Sequence, residues 1–472
     1  MPDFPDIPPA AAVWVREPAS TGKPVHQRWA DFRRVVELDQ VPADAVIHVC
    51  ATHAYRLHVN GRFIAHGPSR AVPGLETFDT HDLSPHLRPG PNELRVTAWF
   101  CGSNNFQHAA DPGPRFWATG RVGAHDLSTP GRWEGREPAG RSAAVPAFSF
   151  AIGPVEHMDQ RADDVPWESV VEVGPFAPTP RDLPTATGTI VTPTPVWSAP
   201  LDTTERRVGF VALHPTAKSM VTDAPRDHAI RYATCLHTDT ARTVTLGLHW
   251  GPHFLNGVPL QPVDDPDRGN RQNVDVELRA GWNLLCGEVT QLNPAHPVMV
   301  GVPSDVVVRG EPSRASTSAV RFQAPRLIDA ADAWKHAPPA TFDALPTDGW
   351  HDVPTDTPPP YPAWMMSWDQ PTDTVDHDLP ATCTTDRTWV FDFGTEFLGH
   401  VRIDLDTPPG TIVDIAYDER RRGDGALNLF GSNPFVHAAD RFVCVGGRQT
   451  IETFHPRGGR YLQVTLRDVG GG

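Results

Sequence analysis

Proline is the residue that most limits the folds open to this chain, since it occurs 51 times in 472 positions, about twice its average usage. A proline removes a backbone hydrogen-bond donor, breaks the interior of a helix, and is tolerated in sheets mainly at strand ends and edges. Such a load favours short strands joined by many stiff turns. We therefore predict an all-β fold.

Composition and charge narrow the class of protein further. Hydrophobic residues make up 39% of the chain and charged residues 21%, which allows a buried core and argues against wholesale disorder. The formal net charge of −16 argues against non-specific binding to nucleic acid or to an anionic membrane, because both reward clustered Lys and Arg. At ~150 residues per domain, the length predicts about three modules.

The N-terminus and the cysteines indicate the compartment. Residues 1–18 hold acids and prolines where a secretory signal needs a basic start and an apolar core. No apolar stretch approaches the ~20 residues of a membrane-spanning helix. The six cysteines are spread along the chain without a CxxC pair, a pattern typical of buried free thiols in a reducing compartment. We predict a cytoplasmic protein.

Two hairpins mark two modules of similar plan. Tyr55–Val59 alternates apolar and polar residues and runs into Asn60-Gly61, which is the strongest short-range hairpin signal because both turn positions take positive φ. Asn256-Gly257 follows an apolar pair in the same way. Each hairpin precedes a turn with Gly and Asn, at Gly90-Pro91-Asn92 and at Gly281-Trp282-Asn283. Two jelly-roll-like sandwiches on one template would explain this repetition, and so would convergent hairpin chemistry.

Strand-like runs and Pro-rich spacers divide the chain into segments. We predict tandem β-sandwich modules at 1–173, 201–315 and 385–472, a Pro-rich linker at 174–200, and a connecting segment at 316–384. Helical periodicity is weak throughout, and Leu327–Lys335 is the best candidate for a short helix, which falls in the connecting segment.

Four groups of residues, in chain order, form a set of motifs. The first comprises Tyr55–Gly61, Gly67–Arg70, Phe78-Asp79 and Leu87–Asn92, and it resembles the galactose-binding-like module near the start of the bacterial α-L-rhamnosidases of glycoside hydrolase family 78. The second, Glu156–Arg161 with Trp167, is similar to the family's E-x-x-D-x-R … W stretch. The third, Pro180–Pro184, is similar to its PRxIP linker.

The fourth group of the resemblance is the most specific. Asp392–Val401 matches the DFGxExxGxV strand pair of the β-sandwich that precedes the family's catalytic barrel, and Pro456–Tyr461 matches the closing strand of that domain. In the family, carboxylates of a following (α/α)6 barrel act as general acid and general base. The sequence ends at Gly472, so the resemblance implies the front β-sandwich portion without the barrel, and a chain that is inactive alone.

One acidic run could be mistaken for part of such an active site. Asp418-Glu419-Arg420 resembles an acidic signature of the barrel, but it follows a strand end and precedes Gly423-Asp424-Gly425, as a hairpin of the sandwich would. A second carboxylate at catalytic spacing is not evident. We assign no catalytic residue.

Two groups of residues contain side chains of the kinds that bind metal ions. His48, His53 and His58 recur at intervals of five, which places neighbours on opposite faces of a strand and disfavours zinc. The cluster Asp264, Asp265 and Asp267 carries oxygen ligands suited to Ca²⁺ but lacks an organised loop pattern, so solvated loop charge is the favoured interpretation. We predict no cofactor and no metal, with Ca²⁺ at this cluster as the alternative.

A sugar site needs an aromatic face for the C–H side of the ring and fixed polar groups for its hydroxyls. The loop that follows the strand ending at Phe100 offers both. The alternative is that Trp99 belongs to the core and that the two asparagines only turn the chain. We predict carbohydrate binding by Arg70, Trp99, Asn104, Asn105, His108, Arg115 and Trp117.

Three functions follow from these features. The first is a non-catalytic carbohydrate-binding or accessory part of an α-L-rhamnosidase-like enzyme, with a rhamnose-containing glycan or glycoside as partner. The second is one subunit of a split rhamnosidase whose (α/α)6 barrel is a separate chain. The third is a structural or assembly protein that uses exposed sandwich surfaces.

Overall fold

The fold is described from a computed structural model of the chain. It covers residues 7, 9–15, 27–102, 104–105, 107–109, 111, 113–149, 153–162, 165–181, 188–213, 228–265, 271–290, 295–313, 315–328, 333–354, 361–372, 382–430 and 436–469.

Short strands dominate these residues, in chain order. The first are β1 (Val13–Trp14), β2 (Arg28–Leu38), β3 (Ala45–Ala51), β4 (Ala54–Val59), β5 (Arg62–Gly67), β6 (Thr77–Asp82), β7 (Gly90–Phe100), β8 (Phe116–Val122), β9 (His125–Asp126), β10 (Glu134–Arg136), β11 (Ala147–Ser149), β12 (Gly153–Pro154), β13 (His157–Asp159), β14 (Glu168–Ser169), β15 (Val171–Glu172), β16 (Thr179–Pro180), β17 (Thr194–Pro200) and β18 (Glu205–Leu213). The others are β19 (His228–Thr238), β20 (Arg242–Leu248), β21 (His253–Leu255), β22 (Val258–Pro259), β23 (Val263–Asp264), β24 (Gln272–Leu278), β25 (Gly281–Thr290), β26 (Ala295–Pro303), β27 (Val307–Arg309), β28 (Ser318–Leu327), β29 (Trp350–Pro354), β30 (Arg387–Gly399), β31 (Arg402–Thr407), β32 (Ile412–Asp418), β33 (Ala439–Val443), β34 (Gly447–Glu452) and β35 (Arg457–Arg467). The helices are α1 (Pro362–Trp368) and the 3₁₀ turns Ser84–His86 and Phe342–Ala344.

The first of two compact units is a single β-sandwich formed by Met1–Ala143 and Ala162–Thr189. One sheet has the order β15-β1-β8-β3-β6-β16, with β9 beside β8, and the other has the order β14-β10-β2-β7-β4-β5. Phe32 and Val96 of the second sheet are buried in the core together with Ile47 of the first. Because side chains alternate across a strand, the odd-numbered residues of β2 and β7 point outward from the second sheet.

The second unit, Ala144–Arg161 with Ile190–Gly472, contains two layered β-structures. In one, which we call the second sandwich, the sheet β18-β26-β20-β24-β23 faces the sheet β22-β21-β25-β19-β28-β29, with β27 beside β19. In the other, which we call the third sandwich, the six-stranded sheet β13-β33-β32-β35-β30-β17 packs against the pair β31-β34 on one face and α1 on the other. The predicted all-β fold of tandem β-sandwiches is confirmed.

The two hairpins seen in the sequence share one hydrogen-bond pattern. In the first unit Asn60 donates its backbone N–H to Glu93 O (2.9 Å) and its Nδ2 to Asn92 Oδ1 (2.9 Å). In the second sandwich Asn256 donates its backbone N–H to Leu284 O (2.8 Å) and its Nδ2 to Asn283 Oδ1 (2.9 Å). The match extends to side-chain detail, as a shared template predicts.

The helix lies elsewhere than the periodicity indicates. Leu327 is the last residue of β28 and pairs with His228 of β19, so sheet pairing overrides the weak helical pattern there, and residues 329–332 lie outside the described part. The helix α1 instead occupies Pro362–Trp368, and all seven of its residues are buried. A helix buried on every side shows no amphipathic period, which is why the sequence did not reveal it.

Residues 144–161, which the sequence analysis places in the first module, pack in the second unit. Strand β13 pairs in parallel with β33, with His157 opposite Arg441. The side chains of Phe148 and Val155 join the core of the third sandwich. The chain therefore enters the second unit, returns to the first, and enters the second unit again.

Two further observations concern the described residues. All six cysteines carry free thiols, and five of them are buried. No helix in this part of the chain is long and apolar enough to cross a membrane.

Candidate functional site

The loop after β7 is held to the end of the first sandwich by His53. The backbone N–H of Cys101 donates to His53 Nδ1 (3.0 Å), so the ring proton lies on Nε2 and donates to Ala109 O (3.1 Å). Burial lowers the pKa of His53, which keeps the ring neutral. This pair of bonds fixes both ends of the loop that carries Asn104, Asn105 and His108.

Trp99 packs against His108 of this loop. Trp99 is 1% exposed, donates Nε1–H to Gln27 Oε1 (2.8 Å), and meets the His108 ring edge-on at 5.1 Å between centroids. Burial, followed by His53 and Arg70, lowers the pKa of His108 to about 3. His108 is therefore an uncharged group at neutral pH, and Trp99 offers no open ring face to a ligand.

The other polar residues of the prediction divide between turn and surface. Asn105 Oδ1 accepts the backbone N–H groups of Gln107 (2.7 Å) and His108 (2.9 Å), which closes a turn. Asn104 and Arg70 are exposed, and Arg70 is close enough to influence the pKa of His108. Of the predicted residues that the structure describes at this end, Arg70 and Asn104 are the exposed ones.

Arg115 and Trp117 belong to different surroundings. Arg115 Nη1 donates to Asp111 Oδ1 at 2.7 Å. Trp117 lies on β8, in the opposite sheet from Trp99, and is 5% exposed. Its Nε1–H donates to Ala10 O (3.2 Å) and its ring packs on Phe78. The structure therefore brings Trp99, Asn105 and His108 together and leaves Trp117 in a separate apolar cluster.

The acidic cluster weighed for Ca²⁺ is tied into the second sandwich by amides. Asp264 Oδ1 accepts from Gln272 Nε2 (3.0 Å) and Asp265 Oδ2 accepts from Asn273 Nδ2 (2.9 Å). Asp267 lies outside the described residues. Within the described ranges, no group of three or more His, Cys, Asp or Glu is placed to hold a metal ion.

Glu419 is exposed just beyond the end of β32. The chain there turns back in a hairpin closed by the bridge between Arg421 and Leu427. Burial raises the pKa of the neighbouring Asp418. This is the hairpin surrounding that the sequence indicated for the Asp418-Glu419-Arg420 run.

A set of arginines that was not predicted from the sequence lies on the outer face of the first unit's second sheet. Arg33 of β2 lies directly opposite Arg95 of β7, and both guanidinium groups contact the ring of Trp167, at 4.6 and 5.4 Å from its centroid. A third guanidinium, from Arg136 of β10, lies 4.4 Å from the same centroid. The signal was present as arginine and acid at alternate positions of β2 and arginine at the matching position of β7.

Comparison with known proteins identifies the C-terminal part of the chain. Residues 382–469 match the family described as the bacterial alpha-L-rhamnosidase concanavalin-like domain. The predicted resemblance of this C-terminal segment to the bacterial α-L-rhamnosidases is confirmed. No curated protein sequence matches the chain.

A solved rhamnosidase shares the fold of nearly the whole chain. A GH78 family rhamnosidase of Bacillus sp. GL1 superposes with a TM-score of 0.71 at 20% identity, over 98% of this chain and 53% of that one. An α-L-rhamnosidase from Aspergillus terreus gives a TM-score of 0.40 at 13% identity, over 96% and 34% of the two chains. This chain thus spans about half the length of the Bacillus rhamnosidase.

Two of the rhamnosidase-like motifs are joined to each other by hydrogen bonds in this fold. Asp392 of the DFGxExxGxV pair accepts the Gly394 N–H (2.7 Å) and both Nε (3.0 Å) and Nη2 (2.8 Å) of Arg460 in the closing strand. Gly394 has a φ of +73°, a conformation that suits glycine.

α1, of seven residues, is the one α-helix of the described residues, so none of them belongs to a helical barrel.

Proposed function

We propose that this chain is the non-catalytic carbohydrate-binding and accessory part of an α-L-rhamnosidase-like glycoside hydrolase and is inactive alone. The observation that carries the proposal is the match of residues 382–469 to the concanavalin-like domain within a described chain that is built of β-sandwiches. Its partner is a rhamnose-containing glycan or glycoside. The carbohydrate site at the end of the first sandwich is centred on Arg70 and Asn104.

The isolated chain is expected not to hydrolyse an aryl α-L-rhamnoside. Inverting hydrolysis needs a general acid and a general base whose carboxyl groups stand ~6.5–9.5 Å apart, and Glu419 is a solvent-exposed hairpin residue. Release of the chromogenic aryl group over several hours measures the activity. The matched control is Glu419→Gln, and turnover that this substitution abolishes would overturn the proposal of an inactive chain.

L-Rhamnose is expected to bind with a dissociation constant in the millimolar range, since a shallow site buries few contacts. Replacing Arg70 or Asn104 by alanine should weaken binding about fivefold, the equivalent of one hydrogen bond. NMR titration or calorimetry measures both. Arg402→Ala, on the exposed strand β31, is the control. Absence of any shift at high sugar concentration, or equal binding by all variants, contradicts this site.

A further inference from the structure

The loop that joins β5 to β6, residues 68–76, lies at the same end of the first unit's sandwich as the loop after β7. Tyr55 of β4 pairs with Gly67, the last residue of β5, and with Ala98, near the end of β7. Both strands therefore end side by side, and the loops that follow them leave the second sheet together.

The same two loops carry the exposed residues of the proposed sugar site. Arg70 lies in the loop after β5 and Asn104 in the loop after β7. Burial, followed by His53 and Arg70, lowers the pKa of His108, so the Arg70 guanidinium lies close to the loop after β7. The residues that follow Arg70 are thus at the edge of the proposed site.

Residues 71–75, which we call the loop tip, are apolar and largely exposed. They read Ala-Val-Pro-Gly-Leu and hold no polar side chain. Val72 is 52% exposed and Leu75 is 71% exposed, more than any other large hydrophobic side chain among the described residues of the first unit. Single exposed apolar residues are ordinary, but a group of them bordered by polar residues is typical of a binding surface.

The start of the loop is held against a buried hydrogen-bond network. Gly67 lies against Asp79 and Tyr55, and a side chain at this position would overlap both. Asp79 is itself fixed, because it accepts hydrogen bonds from the Tyr55 hydroxyl (2.7 Å) and from Arg181 Nη1 (2.8 Å). The chain therefore leaves β5 along a defined path.

The end of the loop is closed by Glu76, which is 8% exposed. Its two carboxylate oxygens accept the Gly74 N–H at 3.0 and 3.1 Å. Leu75 donates its N–H to Val72 O (3.0 Å), and Glu76 O accepts the N–H of Thr179 (2.9 Å). Because the turn is already formed, a ligand that contacts Val72 and Leu75 has little loop ordering to offset.

An apolar pair beside hydrogen-bonding groups matches one class of sugar. A 6-deoxyhexose such as L-rhamnose carries a methyl group where the corresponding hexose carries a hydroxymethyl group. Burial of that methyl against Val72 and Leu75 is favourable. A hydroxyl in the same place would lose its bound water without gaining a partner, since neither side chain can form a hydrogen bond.

We propose that Val72 and Leu75 bind the methyl group of a 6-deoxyhexose whose hydroxyls contact Arg70 and Asn104. This contact makes the site selective for 6-deoxy sugars over the corresponding hexoses. The proposal deepens the carbohydrate-binding function proposed above and rests on it. The hydrogen-bonding residues supply general sugar binding, and the loop tip supplies the selectivity.

The test compares three sugars in NMR titrations of the full chain. L-Mannose differs from L-rhamnose by a hydroxyl on the C6 carbon, and L-lyxose lacks that carbon altogether. L-Rhamnose is expected to bind about fourfold more tightly than either, which is the effect of burying one methyl group.

Substitutions in the loop tip should remove the selectivity. Val72→Ser and Leu75→Ser should each weaken L-rhamnose binding about twofold, and the double variant should bind the three sugars equally. Arg70→Ala should instead weaken all three alike, because they share the hydroxyls that Arg70 contacts. Val258→Ser, at a valine of the second sandwich that is 62% exposed, is the matched control and should leave every affinity unchanged.

Two results would overturn the proposal: equal binding of the three sugars by the unsubstituted chain, or a preference for L-rhamnose that persists in the double variant. If L-rhamnose binding still depends on Arg70 in either case, the proposed function stands without this selectivity. Absence of L-rhamnose binding altogether would overturn the proposed sugar site and this proposal with it.

Discussion

Replacing Asp414 by alanine is expected to lower the free energy of unfolding by about 3–5 kcal/mol, the usual cost of removing one partner from a buried ion pair. Asp414 and Arg441 both have 0% of their side-chain surface exposed. Arg441 donates Nε to Asp414 Oδ1 (2.6 Å) and Nη2 to Oδ2 (2.7 Å). Without the carboxylate, the Arg441 guanidinium would remain buried without this compensating charge.

Asp414 also belongs to a longer series of buried ion pairs. Its Oδ2 accepts from Arg467 Nε (2.9 Å), and Arg467 continues through two hydrogen bonds to Asp369. Asp369 Oδ1 accepts from Arg207 Nη1 (2.7 Å) in β18 of the second sandwich. The chain of ion pairs therefore joins the third sandwich to the second within one compact unit, so the loss at Asp414 should propagate along it.

The effect of Asp414→Ala is best measured by urea unfolding at neutral pH. Burial opposes ionisation, but Arg441 and Arg467 outweigh it and hold the pKa of Asp414 below its usual value. Its stabilising contribution is present above the unfolded-state pKa of ~3.9 and is lost as pH falls through the lower folded-state pKa. Asp404→Ala on β31, an exposed partner of Arg402, should cost less than ~1 kcal/mol. Equal losses from the two substitutions would contradict the argument.

The parts of the fold that the sequence revealed are those set by neighbouring residues. Asn60 and Asn256 have φ values of +52° and +51°. Each is followed by a glycine, so the turn can be recognised from two adjacent residues. Strand alternation is equally local. Both signals are reliable because the backbone conformation of the turn and the alternation along the strand are the same wherever the hairpin packs.

The parts that the sequence did not reveal depend on distant pairing. Glu156 donates its backbone N–H to Asp440 Oδ1 (2.7 Å), 284 positions along the chain. Its carboxylate accepts the N–H groups of Phe454 (3.0 Å) and His455 (2.8 Å). The short strand β13 follows Glu156 and pairs with residues that are distant in the sequence. Its own residues show no periodicity that would distinguish them from their sequence neighbours.

The same distinction between local and distant determinants applies to the candidate site. Outward positions such as Trp99 and Arg95 follow from alternation along β7. What covers each of them does not, because Trp99 is closed over by a loop and Arg95 remains accessible. The sequence indicated an aromatic and polar sheet end but gave no means of telling a covered tryptophan from an available one.

The second large effect is expected from Arg457→Ala in β35, with a loss of about 3–5 kcal/mol. Arg457 is 2% exposed and donates Nε (2.7 Å) and Nη2 (2.6 Å) to the two carboxylate oxygens of Asp440. Its Nη2 also lies 3.9 Å from Glu156 Oε1, and both acids have 0% of their side-chain surface exposed. Removing the one guanidinium leaves two buried carboxylates facing each other.

Arg460→Ala is a matched control three residues along the same strand. Arg460 also binds a carboxylate, that of Asp392, through two nitrogens, but its side chain is 43% exposed. Because solvent screens exposed pairs, the loss there should stay within ~1 kcal/mol. Arg457→Lys, which keeps the charge and loses the fork, should fall between the two alanine variants.

The pH dependence of the Arg457→Ala deficit separates charge from packing, since Arg457 also lies over the ring of Phe148 at 4.5 Å. Burial raises the pKa of Asp440, and Arg457 opposes that rise. In the variant this opposition is lost, so the pKa of Asp440 would lie further above the unfolded-state value. A group with a raised pKa in the folded state favours folding at low pH and loses that contribution as pH rises through the raised pKa. The deficit measured by urea unfolding should therefore be largest at pH 7 and shrink toward pH 5. A deficit equal at both pH values would assign the effect to the lost contact with Phe148 instead.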